Sequence, residues 1–128
     1  MSETVIVIDD DEMINESLSE LLEIMEIDVI GNGFDGKQAV DLFARHDPVY
    51  SLIDLSMPNF DGFFAIENIL KINPNALVFA VTGDVSVNTR EKLEKLGATG
   101  IIYKPFKISD MIDTLRAARS SQKVGYAA

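Results

Sequence analysis

Short apolar runs alternate with amphipathic segments five times along the chain. Most of the runs are rich in β-branched residues, which is typical of strands buried on both faces of a parallel sheet. The segments between them repeat apolar residues every three or four positions, which predicts helices with one buried face. The predicted strands are Thr4–Ile8, Asp28–Ile30, Val49–Ile53, Ala76–Val81 and Gly100–Tyr103. The predicted helices are Met13–Met25, Gly36–His46, a helix capped by Asp61 and running to about Ile72, Val85–Leu96, and a last helix capped by Ser109.

Residues suited to ending helices and strands stand at the predicted boundaries. Asp11, like Asp61 and Ser109, has a side-chain oxygen that can accept the free N–H groups at a helix start. Gly97 suits the left-handed residue that closes a helix. Gly31 and Gly33 are expected to end the second strand. The expected inward stripe of the first helix is Ile14, Leu18, Leu21, Leu22 and Met25.

Strict alternation of strands and helices over 128 residues predicts one α/β domain, a doubly wound fold with helices on both faces of a five-stranded parallel sheet. We expect the domain to occupy residues 1–120 and a flexible C-terminal tail of polar and small residues to occupy 121–128. No linker towards a second domain is recognisable, so the chain is expected to act as a stand-alone module.

Composition and charge narrow the function classes. The net charge is −10, with 16 acidic and 2 basic residues in 1–70 and 5 acidic and 9 basic residues in 71–128. Because phosphate contacts need Lys and Arg, direct binding of nucleic acid is not expected. The lack of cysteine excludes disulfides, thiolate metal sites and a cysteine nucleophile. No apolar run approaches the ~20 residues of a membrane span and no basic leader region is visible, so we expect no membrane insertion and a cytoplasmic location.

Polar residues follow four of the predicted strands. Asp9, Asp10 and Asp11 follow the first strand, Asp54 the third, Thr82 and Gly83 the fourth, and Lys104 and Pro105 the fifth. In an open parallel sheet ligands bind outside the carboxyl ends of the strands, so these side chains are expected to meet at one edge.

Crowded carboxylates of this kind predict a metal-dependent phosphate site. Carboxylates packed together repel, so one of them protonates or the group binds a cation. Oxygen ligands favour Mg²⁺, with Mn²⁺ also possible, and the lack of cysteine disfavours zinc. A bound cation would let a phosphoryl group approach, with Thr82 and Lys104 suited to its oxygens. The pattern therefore predicts metal-assisted phosphoryl transfer to a carboxylate.

Four stretches of sequence resemble the receiver domain of two-component response regulators. The resemblance covers residues 4–119 and implies a flavodoxin-like, CheY-like fold with strand order 2-1-3-4-5. Asp-x-x-Met-Pro-x-x-Asp-Gly is its most specific element, and Lys-Pro-Phe at the right distance adds to it. The stretches are Ile6–Asp11, Leu52–Gly62, Val81–Gly83 and Tyr103–Phe106.

The resemblance implies a role for each matching residue. Asp54 would be the phosphoacceptor, taking the phosphoryl group from a phosphohistidine on a sensor histidine kinase or a histidine phosphotransfer protein. Mg²⁺ would be bound by Asp10 directly, by Asp9 mostly through water, by Asp54, and by the backbone carbonyl of Ser56. The phosphoryl oxygens would be bound by the side chains of Thr82 and Lys104.

Five further positions are expected to modulate this site. Gly83 matches a small residue that leaves the phosphoryl group accessible, and Pro105 matches a cis-proline that aims the lysine. Asp84 either orients the hydrolytic water or caps the fourth helix. The family's switch aromatic is replaced by Ile101, whereas the aromatic residue here is Tyr103, next to the lysine.

The implied function is a signalling switch that catalyses only its own phosphorylation and dephosphorylation. The responding surface would be helix 4, strand 5 and helix 5, in a monomer or in a dimer that forms on phosphorylation. The downstream target is not predictable. Two alternatives stay open: a small phosphohydrolase with Asp9 as nucleophile, and an interaction domain that is never phosphorylated. A Gly-x-Gly-x-x-Gly match at 31–36 is better explained as a tight loop, because dinucleotide folds carry it after the first strand.

Overall fold

The computed structural model describes residues 3–57 and 61–123. Its five strands form one parallel sheet in the order β2-β1-β3-β4-β5, which confirms the predicted fold class and the strand order implied by the resemblance. The strands are β1 Thr4–Ile8, β2 Asp28–Gly33, β3 Tyr50–Asp54, β4 Leu77–Thr82 and β5 Gly100–Tyr103. The helices are α1 Glu12–Ile24, α2 Gly36–His46, α3 Gly62–Ile72, α4 Val87–Leu96 and α5 Ile108–Lys123.

Helices cover both faces of the sheet and divide the core in two. Alternate residues of β1 point to opposite faces, so Val5 and Val7 belong to one core and Ile6 and Ile8 to the other. The first core packs against α1 and α5, and the second packs against α2, α3 and α4. With both faces covered, the ligand-accessible surface of the sheet is left at the strand ends.

Most of the predicted helix ends are confirmed. The Asp11 side chain accepts the N–H groups of residues 13 and 14, and Asp61 caps α3. Gly97 closes α4 with a left-handed φ of 90°. Two starts were predicted wrongly. The helix α4 begins two residues later than expected because Ser86 caps it, and Ser109 lies inside α5, which begins at residue 108.

The second strand is longer than predicted, because Gly31 and Gly33 continue it rather than end it. A Cβ on Gly31 would lie 2.9 Å from Leu42 of α2, and one on Gly33 would lie 2.8 Å from Ile8. The glycines of the Gly-x-Gly-x-x-Gly match therefore allow α2 to pack closely on the sheet, and the tight-loop explanation was wrong for these two residues.

The buried face of α1 also differs from the predicted stripe. Ile14 and Leu21 are 46% and 43% exposed, whereas Asn15 is 1% exposed beside Leu18 and Leu22. The helix thus presents a polar side chain to the sheet.

The expected tail begins inside a helix, since α5 continues to Lys123. The remaining expected tail residues, 124–128, lie outside the described residues. None of the helices in the described part of the chain is both long and apolar enough to cross a membrane.

Candidate functional site

Three carboxylates meet at the carboxyl edge of the sheet. Asp9, Asp10 and Asp54 each offer one oxygen, and these oxygens all lie within 4.8 Å of one another. The register explains the meeting, because Asp9 and Asp54 follow Ile8 and Ile53, which pair across adjacent strands. Asp9 and Asp54 are buried and Asp10 is exposed. We call these three residues the acidic cluster.

Lys104 supplies a positive charge to the acidic cluster. Its Nζ lies 3.5 Å from Oδ1 of Asp54 and 4.0 Å from Oδ2 of Asp9. Lys104 follows β5, and its backbone N–H donates to the carbonyl of Thr82 at 2.8 Å, which ties it to the end of β4. The peptide bond between Lys104 and Pro105 is cis, as the resemblance implies.

Burial makes the negative charge of Asp9 unfavourable. Loss of water around the carboxyl group raises the pKa of Asp9 to about 6, and the nearby charges of Asp54 and Asp10 act in the same direction. The N–H of Asp11, which donates to Oδ1 at 3.0 Å, and the charge of Lys104 oppose the rise. The crowding expected from the sequence is therefore present, and a cation at this edge would relieve it.

Thr82 and the loop after it border the acidic cluster. Thr82 is buried at the end of β4, directly after Val81, which pairs with Asp54. Its hydroxyl oxygen accepts the N–H of Asp84 at 3.0 Å. Gly83 is exposed, and a Cβ there would meet nothing within 4 Å. Space beside the site is therefore open at this position.

The Asp84 carboxylate is engaged by the start of α4. It accepts the hydroxyl proton of Thr89 at 2.6 Å and the N–H of Ser86 at 2.9 Å. These hydrogen bonds, that of Thr89 foremost, lower the pKa of Asp84. Since Ser86 is the N-cap of α4, Asp84 does not cap this helix, but its hydrogen bonds stabilise the first turn from the preceding loop.

The loop after β3 makes backbone hydrogen bonds to the Asp54 carboxylate and to the end of β4. The N–H of Ser56 donates to Oδ1 of Asp54 at 3.2 Å, and the N–H of Leu55 donates to the Val81 carbonyl at 3.3 Å. The motif residues at 58–60 lie outside the described residues.

Ile101 and Tyr103 lie on β5 beside α4. Both line a groove of about 300 Å³ between β5 and α4. Ile101 packs against the second core, whereas Tyr103, which pairs with Thr82 in the sheet, is exposed. The structure therefore brings Tyr103, not Ile101, to the strand end nearer the acidic cluster.

Sequence reasoning assigned no role to two residues that shape this site, Asn15 and the motif glycine Gly62. The side-chain amide of Asn15 donates to the backbone carbonyl of Asp9 at 3.1 Å. Gly62 packs so closely under Asp54 that a Cβ would lie 2.6 Å from the Asp54 carbonyl oxygen. The signal for Asn15 was its place three and seven residues before Leu18 and Leu22 on one helix face.

The residues present fit a divalent cation. Carboxylate oxygens are the hard donors that Mg²⁺ and Mn²⁺ prefer, and the acidic cluster supplies three within 4.8 Å. One of the three carboxylates, Asp9, is also destabilised in its charged form without such an ion.

Comparisons with known proteins agree with this geometry. A family model described as response regulator receiver domain matches residues 5–116. The probable C4-dicarboxylate response regulator DctR of Priestia megaterium is 34% identical over 120 residues, which are 93% of this chain but 53% of that protein. The chemotaxis protein CheY of Halobacterium salinarum is 30% identical over 115 residues, which are 90% of this chain and 95% of that protein. The chain thus spans about half of the first relative and nearly all of the second.

A solved structure shows the same architecture. The beryllofluoride-activated NtrC4 receiver domain dimer matches with a TM-score of 0.82 and 29% identity, covering 93% of this chain and 98% of that one. Since the family model covers most of the chain, and the fold and CheY-type relatives agree with it, the chain belongs to the response regulator receiver domain family of two-component signalling.

Proposed function

We propose that this receiver takes a phosphoryl group onto Asp54 from a phosphohistidine of a sensor histidine kinase or a histidine phosphotransfer protein. A carboxylate oxygen of Asp54 forms the new O–P bond while the P–N bond breaks, and the electron pair of that bond stays on the imidazole. Later attack by water breaks the O–P bond and restores the carboxylate. The observation that carries the proposal is the Asp54 carboxylate, buried at a strand end between two further carboxylates and the ammonium of Lys104.

The acidic cluster would hold Mg²⁺, with Mn²⁺ as a substitute. Its protein ligands would be Asp10 directly, Asp9 mostly through water, Asp54 and the backbone carbonyl of Ser56. The cation, when bound, offsets negative charge so that a phosphoryl group can approach the carboxylates. Asp9 and Asp54 are already placed by paired strands, so binding requires little rearrangement of the backbone.

Lys104 and Thr82 would stabilise the phosphorylated state. Lys104 would pair with Asp54 before transfer, and its flexible side chain would turn to the phosphoryl oxygens after transfer. The Thr82 oxygen accepts the N–H of Asp84, which leaves the hydroxyl proton to be donated to a phosphoryl oxygen. Movement of Thr82 would pull on residues 83 and 84, and through Asp84 on the start of α4.

The output surface would be α4, β5 and α5. The bond between Asp84 and Thr89 connects the loop after β4 to α4, so a shift at Thr82 reaches this surface through named contacts. Arg116 of α5 is already paired with Glu3 at 2.8 Å, so a partner would meet exposed cations of α4 such as Arg90 and Lys95. The NtrC4 receiver is a dimer in its beryllofluoride-activated form, and we propose that this chain forms a dimer on phosphorylation, with the monomer as the resting state.

Beryllofluoride, a phosphoryl mimic, tests the proposal. With Mg²⁺ it is expected to shift the amide NMR signals of residues 82–84 and 103, and Asp54→Asn is expected to remove the change. Asp61→Asn, which retains an acceptor at the α3 cap, serves as the matched control and keeps the response. An identical response in Asp54→Asn, or none in the unaltered protein, would contradict the proposal.

A further inference from the structure

A buried amide on α1 holds the backbone from which two of the three clustered carboxylates project. Asn15 is 1% exposed, and the two N–H groups of its Nδ2 are shared among three carbonyl oxygens. They belong to Gly33 at 2.9 Å, Asp9 at 3.1 Å and Val7 at 3.3 Å. These carbonyls stand where β1 and β2 end, so one side chain joins α1 to both strand ends.

The orientation of this amide is fixed from its other side. Nδ2 of Asn32 donates to Oδ1 of Asn15 at 2.6 Å and to the hydroxyl of Ser19 at 2.7 Å. That hydroxyl in turn donates to the backbone carbonyl of Asn15 at 2.8 Å. Because Oδ1 of Asn15 is used as an acceptor, its NH₂ group is the part that faces the strand carbonyls.

The contact with the Asp9 carbonyl matters for the side chains around it. That carbonyl belongs to the peptide unit between Asp9 and Asp10, which is planar, so holding its oxygen fixes the plane from which Asp10 leaves. On the other side the carboxylate of Asp9 accepts the N–H of Asp11, which is also the N-cap of α1. The segment 9–11 is therefore held at its backbone by Asn15 and at its first side chain by Asp11.

We propose that Asn15 is a positioning residue of the divalent-cation site. It keeps the Asp9–Asp10 peptide in the orientation that brings both carboxylates within 4.8 Å of the Asp54 oxygen. The inference rests on the proposed function, in which the acidic cluster binds Mg²⁺. Residues that orient metal ligands typically change metal affinity by about 10- to 100-fold when they are replaced.

The test compares Asn15→Leu with Leu22→Ala. Both alter the sheet-facing side of α1, but Leu22 lies in the first core and its side chain makes no hydrogen bond to the strand ends, so its truncation is expected to leave the acidic cluster in place. The Mg²⁺ dissociation constant, measured by NMR titration, is expected to rise about 10-fold or more in Asn15→Leu and to stay within about twofold in Leu22→Ala.

A metal-free measurement separates this inference from the proposed function. In the absence of Mg²⁺, the amide signals of residues 10 and 11 are expected to broaden or shift in Asn15→Leu and to be retained in Leu22→Ala. Unchanged loop signals together with an unchanged Mg²⁺ dissociation constant would overturn the role of Asn15. An unaltered protein that binds no Mg²⁺ would contradict the proposed function and, with it, a role of Asn15 at a cation site. Changed loop signals would then still show that Asn15 holds the backbone of residues 9–11, so the two failures are distinguishable.

Asn32→Ala keeps the test decisive should Asn15→Leu fail to fold. Asn32 is exposed, so its truncation leaves the core intact while it releases the amide of Asn15 from its outer partner. In Asn32→Ala we expect a smaller rise of the Mg²⁺ dissociation constant than in Asn15→Leu, and smaller changes of the amide signals of residues 10 and 11. Wild-type values in Asn32→Ala, with Asn15→Leu unfolded, would overturn the proposal.

Discussion

The ammonium group of Lys104 lies 3.5 Å from Oδ1 of Asp54, across the end of the strand that separates them. The same nitrogen is 4.0 Å from Asp9, so one cation serves two buried carboxylates. Its side chain is one-third exposed, which leaves it free to move while the acids stay fixed by their strands. This asymmetry suits a residue that compensates charge before phosphoryl transfer and follows the charge afterwards.

In the absence of Mg²⁺, replacing Lys104 by an uncharged residue is expected to destabilise the protein. Lys104→Met leaves Asp9 and Asp54 without their cation, and we expect the free energy of unfolding at pH 7.5 to fall by about 1–2 kcal/mol. Urea unfolding measures it. Lys95→Met, an exposed site on α4, is the control and should change stability by less than about 0.5 kcal/mol. Equal losses in the two variants would refute the charge-compensating role.

The raised pKa of Asp9 predicts a pH-dependent benefit of Asp9→Asn. An acid whose pKa is higher in the folded chain binds more protons when folded, so its contribution to stability falls as the pH rises from about 4 to about 6. Each pKa unit is worth about 1.4 kcal/mol. Relative to wild type, the unfolding free energy of Asp9→Asn should therefore rise by about 2–3 kcal/mol between pH 4 and pH 7. Urea titrations at the two pH values check this, and a difference that does not vary with pH would count against it.

Adding Mg²⁺ is expected to raise the melting temperature at pH 7.5. At ten times its dissociation constant the ion adds about 1.4 kcal/mol of stability, which corresponds to a rise of about 3–6 °C in a domain of this size. Asp10→Asn should raise the metal-free melting temperature, because one clustered charge is gone, and should reduce the Mg²⁺ increment. Thermal scans with Mg²⁺ and with EDTA provide the comparison. Melting that is insensitive to both changes would argue against a crowded acidic cluster.

Two glycines near the site should respond differently to alanine. A Cβ on Gly62 would lie 2.6 Å from the backbone oxygen of Asp54 and 3.0 Å from Cα of Leu55, so the backbone under Asp54 must move. Gly62→Ala is expected to cost about 1–3 kcal/mol and to weaken Mg²⁺ binding.

Gly83→Ala is the matched control for that change. A Cβ at Gly83 meets nothing within 4 Å, so stability should change by less than about 0.5 kcal/mol. Chemical unfolding and Mg²⁺ titration of both variants decide the matter. The packing argument fails if Gly62→Ala is tolerated as well as Gly83→Ala.

The fold and the strand-end chemistry could be predicted because both depend on local signals. Buried parallel strands are continuous apolar runs, and polar residues at their ends meet at one edge whatever the loops do, so Asp9, Asp54 and Lys104 could be placed together. The caps at Asp11 and Asp61 were likewise local, since each side chain accepts backbone N–H groups no more than three residues further along the chain.

The features that could not be predicted depend on contacts between distant residues. Gly31 and Gly33 look like strand breakers alone, yet they extend β2 by pairing with Ile6 and Ile8 of β1. Leu42 and Ile8 fill the space that a side chain at these two positions would need. The apolar periodicity of α1 predicts which of its residues share a face, but it does not fix how the helix is rotated about its own axis against the sheet. Asn15 is turned inward by three carbonyls at the ends of β1 and β2, which a reading of α1 alone cannot reveal.

Locating the covalent modification tests the central claim most directly. The protein is incubated with acetyl phosphate and Mg²⁺, the acyl phosphate is reduced with borohydride, and the altered residue is identified by peptide mass spectrometry. Our account predicts a mark on Asp54 that requires Mg²⁺ and is absent in Asp54→Asn. A mark on Asp9, as an aspartate-nucleophile phosphohydrolase would give, or no mark at all, would contradict it.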